Sequence, residues 1–477
     1  MPTIPLPIVG PDYQGRINEQ NTQSTINWFV ENDAAGGRYP SILLPTEGLT
    51  SWTDLTGNVV RQLFVQDGLL YAVVDSTLYS ITTDKVATSR GTLSTSTGRC
   101  QIAGISDQLM INDGSNGYTY TISSTTFATI SDADFNSGAE SVASLDSRFY
   151  YPKENTHEVY YSALSSGASW GALDFVSAES NPDDLVNVSR LRGDLWFKGT
   201  QSTEVWYSSG ESTPIARRDV TIEKGCIAAH TDIELDNKGI WLGQTKDGQG
   251  QVYLADGFNI QVISTPVLEH VFSEFSTLSD AFAFGYQRDG HKFYWLTFPT
   301  ASRSFVYDLT TGFWHERKSK DRNSVDTYNR HWANCFAFFN GFYLVGDYQS
   351  GVIYALDKDK YTDDGETIRR VRICQHVSKD NQMMRINNIR IHTKTGVGLV
   401  SGQGVDPKMM LRLSRDGCNT WGNEMQRSCG ALGEYGTIPQ WNRLGRAKEL
   451  TIETAVTDPV EWCLLGGTAD IELLDGI

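Results

Sequence analysis

The sequence predicts an all-β protein. It reads as an extended N-terminal arm (residues 1–45), a β-propeller of about seven blades (46–365) and a C-terminal antiparallel β-sandwich (366–477). Three observations predict this. The 477 residues hold 44 Gly against 14 Pro, with 20% charged and 11% aromatic side chains. Such a chain is turn-rich, has enough aromatic surface to bury, and is too long for one compact core. An aromatic-rich strand then recurs at near-regular spacing, and that recurrence stops near residue 365 in favour of longer period-two segments.

The arm has few strand signals and several Asn, Pro and Gly, so it is expected to dock on another part of the molecule. The repeat follows. LLYAV begins at Leu69, LMIN at Leu109, FYYP at Phe149, LWFKG at Leu195, IWLGQ at Ile240, FYWLT at Phe293 and FYLVG at Phe342. Successive starts lie 40 to 53 residues apart. Before most of these comes an alternating strand and a tight turn, as in RQLFVQDG (61–68), DIELDNKG (232–239), FAFGYQRDG (282–290) and CFAFFNG (335–341). Asp-Gly, Lys-Gly and Asn-Gly would supply the positive φ of two-residue hairpins. After each comes a third strand with a central aromatic, such as TLYSIT (77–82), EVWYSS (204–209) and GVIYAL (351–356).

One small meander per 40–53 residues matches a propeller blade, because a lone meander cannot bury both faces whereas blades round an axis can. Seven units are visible, and a strand borrowed from the other end of the chain would shift the count to six or eight. A run of hairpins in a sandwich is the alternative, and seven in-phase units favour the propeller. Beyond the repeat, RRVRICQHV (369–377), RINNIRIHTK (385–394), MMLRLSRDG (409–417), KELTIETA (448–455) and EWCLLGGTADIELL (461–474) alternate at period two, as sandwich strands do.

The formal charge is −17 and the pI about 4.9. Nucleic-acid binders grip phosphates with a basic face, so this balance argues against tight binding to DNA or RNA, though not against lying beside it. The N-terminus lacks a basic region and carries three prolines in its first seven residues, unlike a secretory signal. No run of 18 apolar residues predicts a membrane span. Seven scattered cysteines suggest free buried thiols made in a reducing cytoplasm.

The segment LSRDGCNTWGNE (413–424) comes one residue short of the sialidase Asp-box, Ser-x-Asp-x-Gly-x-Thr-Trp. Ser414, Asp416, Thr420 and Trp421 are in register, while Cys418 stands where the glycine belongs. It occurs once, outside the propeller repeat, and reads as a hairpin in which Asp416 bonds local amides and Trp421 packs on the sheet. No nucleophile elbow, P-loop or zinc-protease motif is present, and no catalytic, cofactor or metal residues are assigned. Cys374 and His376 share a strand face, which is read as core packing rather than a zinc site. Asp357, Asp359, Asp363 and Asp364 miss EF-hand spacing and read as a solvated linker.

Two segments outside the repeat resemble a family. INWFVENDAAGGRYPSILLPTEGLTSW (26–52) is similar to an opening of bacteriophage tail proteins: Asn-hydrophobic-x-x-Glu, a short strand, then Pro-x-x-Gly-Leu. It departs from that opening in having Phe29-Val30 where an aromatic-Pro pair is expected. LRLSRDGCNTWGNEMQRSCGALGEYGTIPQWNRLGRAKELTIETAVTDPVEW (411–462) has the matching close: Ser-x-Asp-Gly, Trp-Gly, Gly-x-Tyr and W-x-R-L-G-R-A. Together they resemble the packaged-DNA stabilisation proteins of short-tailed phages, also called tail accessory factors or tail hub (nozzle) proteins.

The resemblance implies a non-enzymatic virion component of the phage tail, assembled in the host cytoplasm. It would form a homo-oligomer, usually a hexamer, below the portal and its adaptor ring. There it would continue the channel for double-stranded DNA, help retain the packaged genome and carry tail fibres, a spike or a plug. Trp421, Trp441, Arg443 and Arg446 in the closing segment are candidate contact residues, since aromatics and arginine are favoured at interfaces; packing within their own sandwich is the alternative. The rival functions are a glycan-binding or glycan-cleaving, sialidase-like propeller and an intracellular peptide-binding scaffold.

Overall fold

Alternating strands joined by tight turns fold here as seven four-stranded antiparallel meanders, in a computed structural model that describes residues 3–15, 21–136, 138–181, 183–324 and 326–474. In six of the seven blades the turn between first and second strands places two residues at positive φ, as at Asp67-Gly68, Asp289-Gly290 and Asn340-Gly341. Gly, Asn and Asp adopt that region at least cost. In DIELDNKG the turn falls on Asp236-Asn237, and Lys238-Gly239 already begin the next strand, which corrects the expected Lys-Gly turn.

Six meanders run in sequence over residues 60–92, 101–129, 143–177, 185–222, 233–262 and 282–320. The seventh contains Ala333–Phe339, Phe342–Asp347 and Val352–Asp357, and its fourth, outer strand is Gly48–Asp54 from the start of the chain. An N-terminal strand therefore closes the ring of blades. Seven apolar clusters fill the seven gaps between neighbouring blades. The cluster of Val60, Leu63, Leu70, Trp52, Phe339 and Leu344 seals blade seven against blade one. The outer strand of blade one escaped sequence reading because its side chains face water: Ala87–Thr92 has no buried residue, so no alternation marks it.

The sandwich has two sheets, and the arm enters both. One sheet orders Trp28–Asn32, Ser41–Pro45, Leu464–Leu473, Met384–Thr393 and Gln440–Ala447, with Thr3–Leu6 pairing on Leu464–Leu473. The other orders Thr22–Ile26, Arg370–Ile373, Glu449–Val456, Lys408–Ser414 and Met425–Ser428. Leu6, Ile8, Trp28, Val30 and Leu43 of the arm share the core with Trp441, Trp462, Ile389 and Leu411. The expectation of few arm strands is thus corrected: five short strands lie there, and most take ladder partners more than 300 residues away.

Thr22–Ile26 also pairs in parallel with Phe313–Lys320, the outer strand of blade six. One continuous sheet therefore runs from blade six through the arm into the sandwich. The acidic stretch is solvated only in part, with Asp359 and Asp364 exposed and Asp357 half-buried. Asp363 is buried, pairs with the closing strand at Leu49, and accepts a hydrogen bond from Ser319 at 2.7 Å. Among the described residues, no helix is long and apolar enough to cross a membrane.

Candidate assembly site

The near-Asp-box forms a local turn. Asp416 accepts from the Thr420 amide at 2.9 Å, the Thr420 hydroxyl at 2.5 Å and the Ser414 hydroxyl at 2.8 Å. The Thr420 bonds above all hold its carboxyl down at about 2. Gly417 and Cys418 both take positive φ, so the residue at the missing glycine position adopts a glycine-like conformation. Trp421 is half-buried beneath the Arg412 guanidinium, 5.5 Å from its ring. The Asp416 carboxylate is thus spent on groups of the motif itself, as a turn requires.

The four predicted contact residues separate. Trp441 is fully buried in the sandwich core and its indole N–H donates to the Met425 carbonyl at 2.9 Å. It packs within its own domain, which corrects its assignment as a contact residue: it alternates inward on Gln440–Ala447. Arg443 and Arg446 are exposed beyond a bend where Arg443 and Gly445 take positive φ, and neither forms an ion pair among the described residues. Cys374 is buried, and His376 sits between the hydroxyls of Thr22 and Thr451. No group of three or more His, Cys, Asp or Glu is placed to hold a metal among the described residues.

The opening motif has a clear structural job. Asn27, at φ 58 and buried, donates its side-chain amide to the carbonyls of Lys318 in blade six and Arg369 at the sandwich, both at 2.9 Å. Its carboxamide oxygen accepts from the Lys318 amide, also at 2.9 Å, and its own carbonyl accepts from Thr46. One residue thus ties arm, propeller and sandwich. Glu31, four residues on, meets His291 of blade six at 3.3 Å, and the other ring nitrogen of His291 meets Asp308 at 2.7 Å. Burial alone would lower the His291 pKa, but the Asp308 and Glu31 carboxylates together outweigh it and the net shift is upward.

Glu47, in the Pro-x-x-Gly-Leu turn, accepts from Arg317 at 2.7 Å and Tyr286 at 3.1 Å, and all three are buried. Burial opposes ionisation of Glu47, and the Arg317 guanidinium, a backbone hydrogen bond and Arg288 together override it, leaving the carboxyl below its ordinary value. Arg372 fixes the arm to the sandwich from the other side: its guanidinium donates to the carbonyls of Ile8 and Pro11 and to Thr25 and Gln23.

Sequence reading missed the most exposed apolar surface of the sandwich. Leu399, Val400, Val405, Leu432, Tyr435 and Ile438 lie on two loops, with Val400 87% and Tyr435 75% exposed. The loops are one surface, since the Gly433 amide donates to Gly396 and the Thr395 hydroxyl to the Tyr435 carbonyl. Contiguous apolar exposure of this kind marks a place of association. The Gly-x-Tyr element, Gly433 to Tyr435, was its one visible signal.

Two family models match the chain in order. The bacteriophage P22 Gp10 β-propeller model covers residues 4–361, and the bacteriophage P22 Gp10 β-sandwich model covers 369–472. No curated protein matches the sequence. Among solved structures, the WD40 domain of Neurospora crassa Pan2 is similar at 9% identity and a TM-score of 0.41, over 65% of this chain and 94% of that one. A chain of the mitotic checkpoint complex is similar at 10% identity and a TM-score of 0.42, over 69% and 97%. With propeller and sandwich matched in sequence across nearly its whole length, the chain belongs to the bacteriophage P22 Gp10 family of packaged-DNA stabilisation proteins.

Proposed function

We propose that the protein is a structural tail hub, or nozzle. It assembles as a hexameric ring below the portal and its adaptor, continues the channel for double-stranded DNA, helps retain the packaged genome and anchors fibres, a spike or a plug. It makes and breaks no bond. The observation that carries the reading, within the family, is the pair of apolar loops around Val400, Leu432 and Tyr435. Apolar side chains held this far into water gain most when a partner covers them. Trp421, Arg443 and Arg446 are proposed as accompanying polar and aromatic contacts, while Trp441 serves the fold.

Charge fits the same reading. Six copies at −17 each would total roughly −100, and a lumen carrying part of it would repel phosphates over about 8 Å at physiological salt, so that DNA slides without sticking. The near-Asp-box lends no support to the sialidase-like alternative, because Asp416 is committed to a turn.

Mass measurement of the purified protein, alone and mixed with its adaptor ring, tests the proposal. The expected result is a species near six subunits in at least the mixed sample. Val400→Glu with Leu432→Glu should leave the monomer's circular dichroism and melting unchanged while abolishing the ring. A wild-type chain that stays monomeric with the adaptor, or hydrolysis of a capsular sugar by the protein alone, would overturn it.

A further inference from the structure

Two arginines from different blades meet over one aromatic ring. Arg99 stands just ahead of the first strand of blade two, yet reaches across to blades six and seven. It donates to the carbonyl of Asn334 at 2.8 Å and lies over the ring of Phe282 at 3.8 Å. Arg330, immediately before blade seven, is 7% exposed and stacks on Tyr348 at 3.8 Å, with Phe282 5.8 Å from its guanidinium carbon. Two guanidinium groups therefore share one aromatic ring.

Neither has a full set of partners. Arg99 Nε and Arg330 Nη1 are buried with no hydrogen-bond acceptor among the described residues, and neither arginine has a carboxylate within 4.0 Å. The nearby groups leave the pair only partly compensated. Burial pushes the thiols of Cys100 and Cys335 up to about 12, so both are neutral. Asp280 and Asp347 act on Arg330 from beyond contact; Asp280 is bonded to the Thr300 amide, and Asp347 is engaged by Arg322. His230, at the entry to blade five, is held neutral, its pKa lowered to about 3 by burial and then by Arg99.

A guanidinium stays protonated when buried, and an uncompensated one is costly, so such sites attract a counter-ion. We propose that the site where these two guanidinium groups meet over Phe282 binds one small inorganic anion between Arg99 Nε and Arg330 Nη1. The pairing satisfies both orphan donors in charge-assisted bonds and screens the two like charges from each other. Because Arg99 and Arg330 come from blades that are not neighbours, the bound ion also clamps the ring across its axis. It would stabilise the folded chain by mass action.

The test uses the full chain. Its thermal midpoint is followed while chloride, and separately inorganic phosphate, replaces gluconate at constant ionic strength. The expected result is a saturable rise with at least one of the two, with an apparent dissociation constant about tenfold weaker in Arg330→Gln, the loss of one charge-assisted contact. If that variant does not fold, chloride-35 line broadening on the wild-type protein, displaced by phosphate or bromide, replaces it. A bromide-soaked crystal should show an anomalous peak against both guanidinium groups. A peak with no saturable effect in solution marks an adventitious ion only and overturns the proposal, as does ordered water in the fork.

Discussion

The gaps between blades and the junction between propeller and sandwich are built from different materials. Between blades four and five lie Trp196, Trp241, Val205 and Tyr253; between five and six, Leu242, Leu254, Phe272 and Leu296. At the junction the buried groups are Asn27, Glu47, Arg317, Asp363, Arg370 and Arg372. Apolar burial is strong but indifferent to orientation, and seven similar wedges need only a common shape. A buried polar network is directional, and it penalises every arrangement that leaves a partner unmet. The contrast suggests that closure of the propeller is a matter of packing, whereas the angle at which the sandwich is carried is a matter of hydrogen bonds. In the proposed ring, that angle is what a neighbouring copy would meet.

The sharpest break of this contrast is on the apolar side. Trp241→Ala removes a fully buried indole whose N–H donates to the Gly225 carbonyl at 2.9 Å. It should cost about 4 kcal/mol, seen as a lowered denaturant midpoint of the propeller with the sandwich transition less affected. On the polar side, Arg317→Met strands Glu47 and should cost about 3 kcal/mol, with a good part recovered in the double variant Arg317→Met/Glu47→Gln. Additive losses in that cycle would show that the pair does not act as a unit. Asn27→Ala removes the three-way tie and should cost about 2 kcal/mol. Its signature is faster amide exchange in 22–32 and 313–320 together, with the interblade amides unchanged.

Acidity sharpens the comparison further. Burial, then Glu316, pushes the Asp12 carboxyl up to about 7, and burial pushes Asp363 to about 7 as well. In the unfolded chain both lose their proton near 3.8. The folded chain therefore holds more protons between about pH 4 and 7, and stability falls as pH rises through that window. His291 has the same sign: its raised folded pKa contributes stability that is complete below the ordinary value and lost as pH rises through the folded one. Glu47 and Asp308, both held below their ordinary values, act oppositely, but only under about pH 4.5. The junction should thus tighten from pH 8 to 5, with slower exchange of arm amides, and Asp363→Asn should flatten the response. An unchanged pH profile in that variant would remove Asp363 from the account. The smallest effect is expected at the near-Asp-box, where Asp416→Ala should loosen 416–421 locally and leave both global transitions in place.

Much of the fold was legible because its causes are local. Strand alternation, Asp-Gly and Asn-Gly turns and the recurrence of aromatic strands each act within about ten residues, and they suffice to mark seven meanders and the sandwich strands beyond them. The family resemblance likewise sat in short contiguous segments. What the sequence could not determine was pairing across hundreds of positions. Gly48–Asp54 closing blade seven, and Thr22–Ile26 joining blade six to Arg370–Ile373, depend on edges that exist only once both partners have folded.

Burial was the other decision left to the tertiary structure. Asp363 reads as linker charge and lies in the core, Trp441 reads as a contact and packs inward, and Val400 and Tyr435 read as loop residues and stand in water. A residue's type sets the free energy of its burial, but whether a site is covered depends on what the rest of the chain brings to it. Composition and periodicity determined the propeller and the sandwich; only the assembled fold decided which charges are locked inside and which apolar side chains remain to meet a partner.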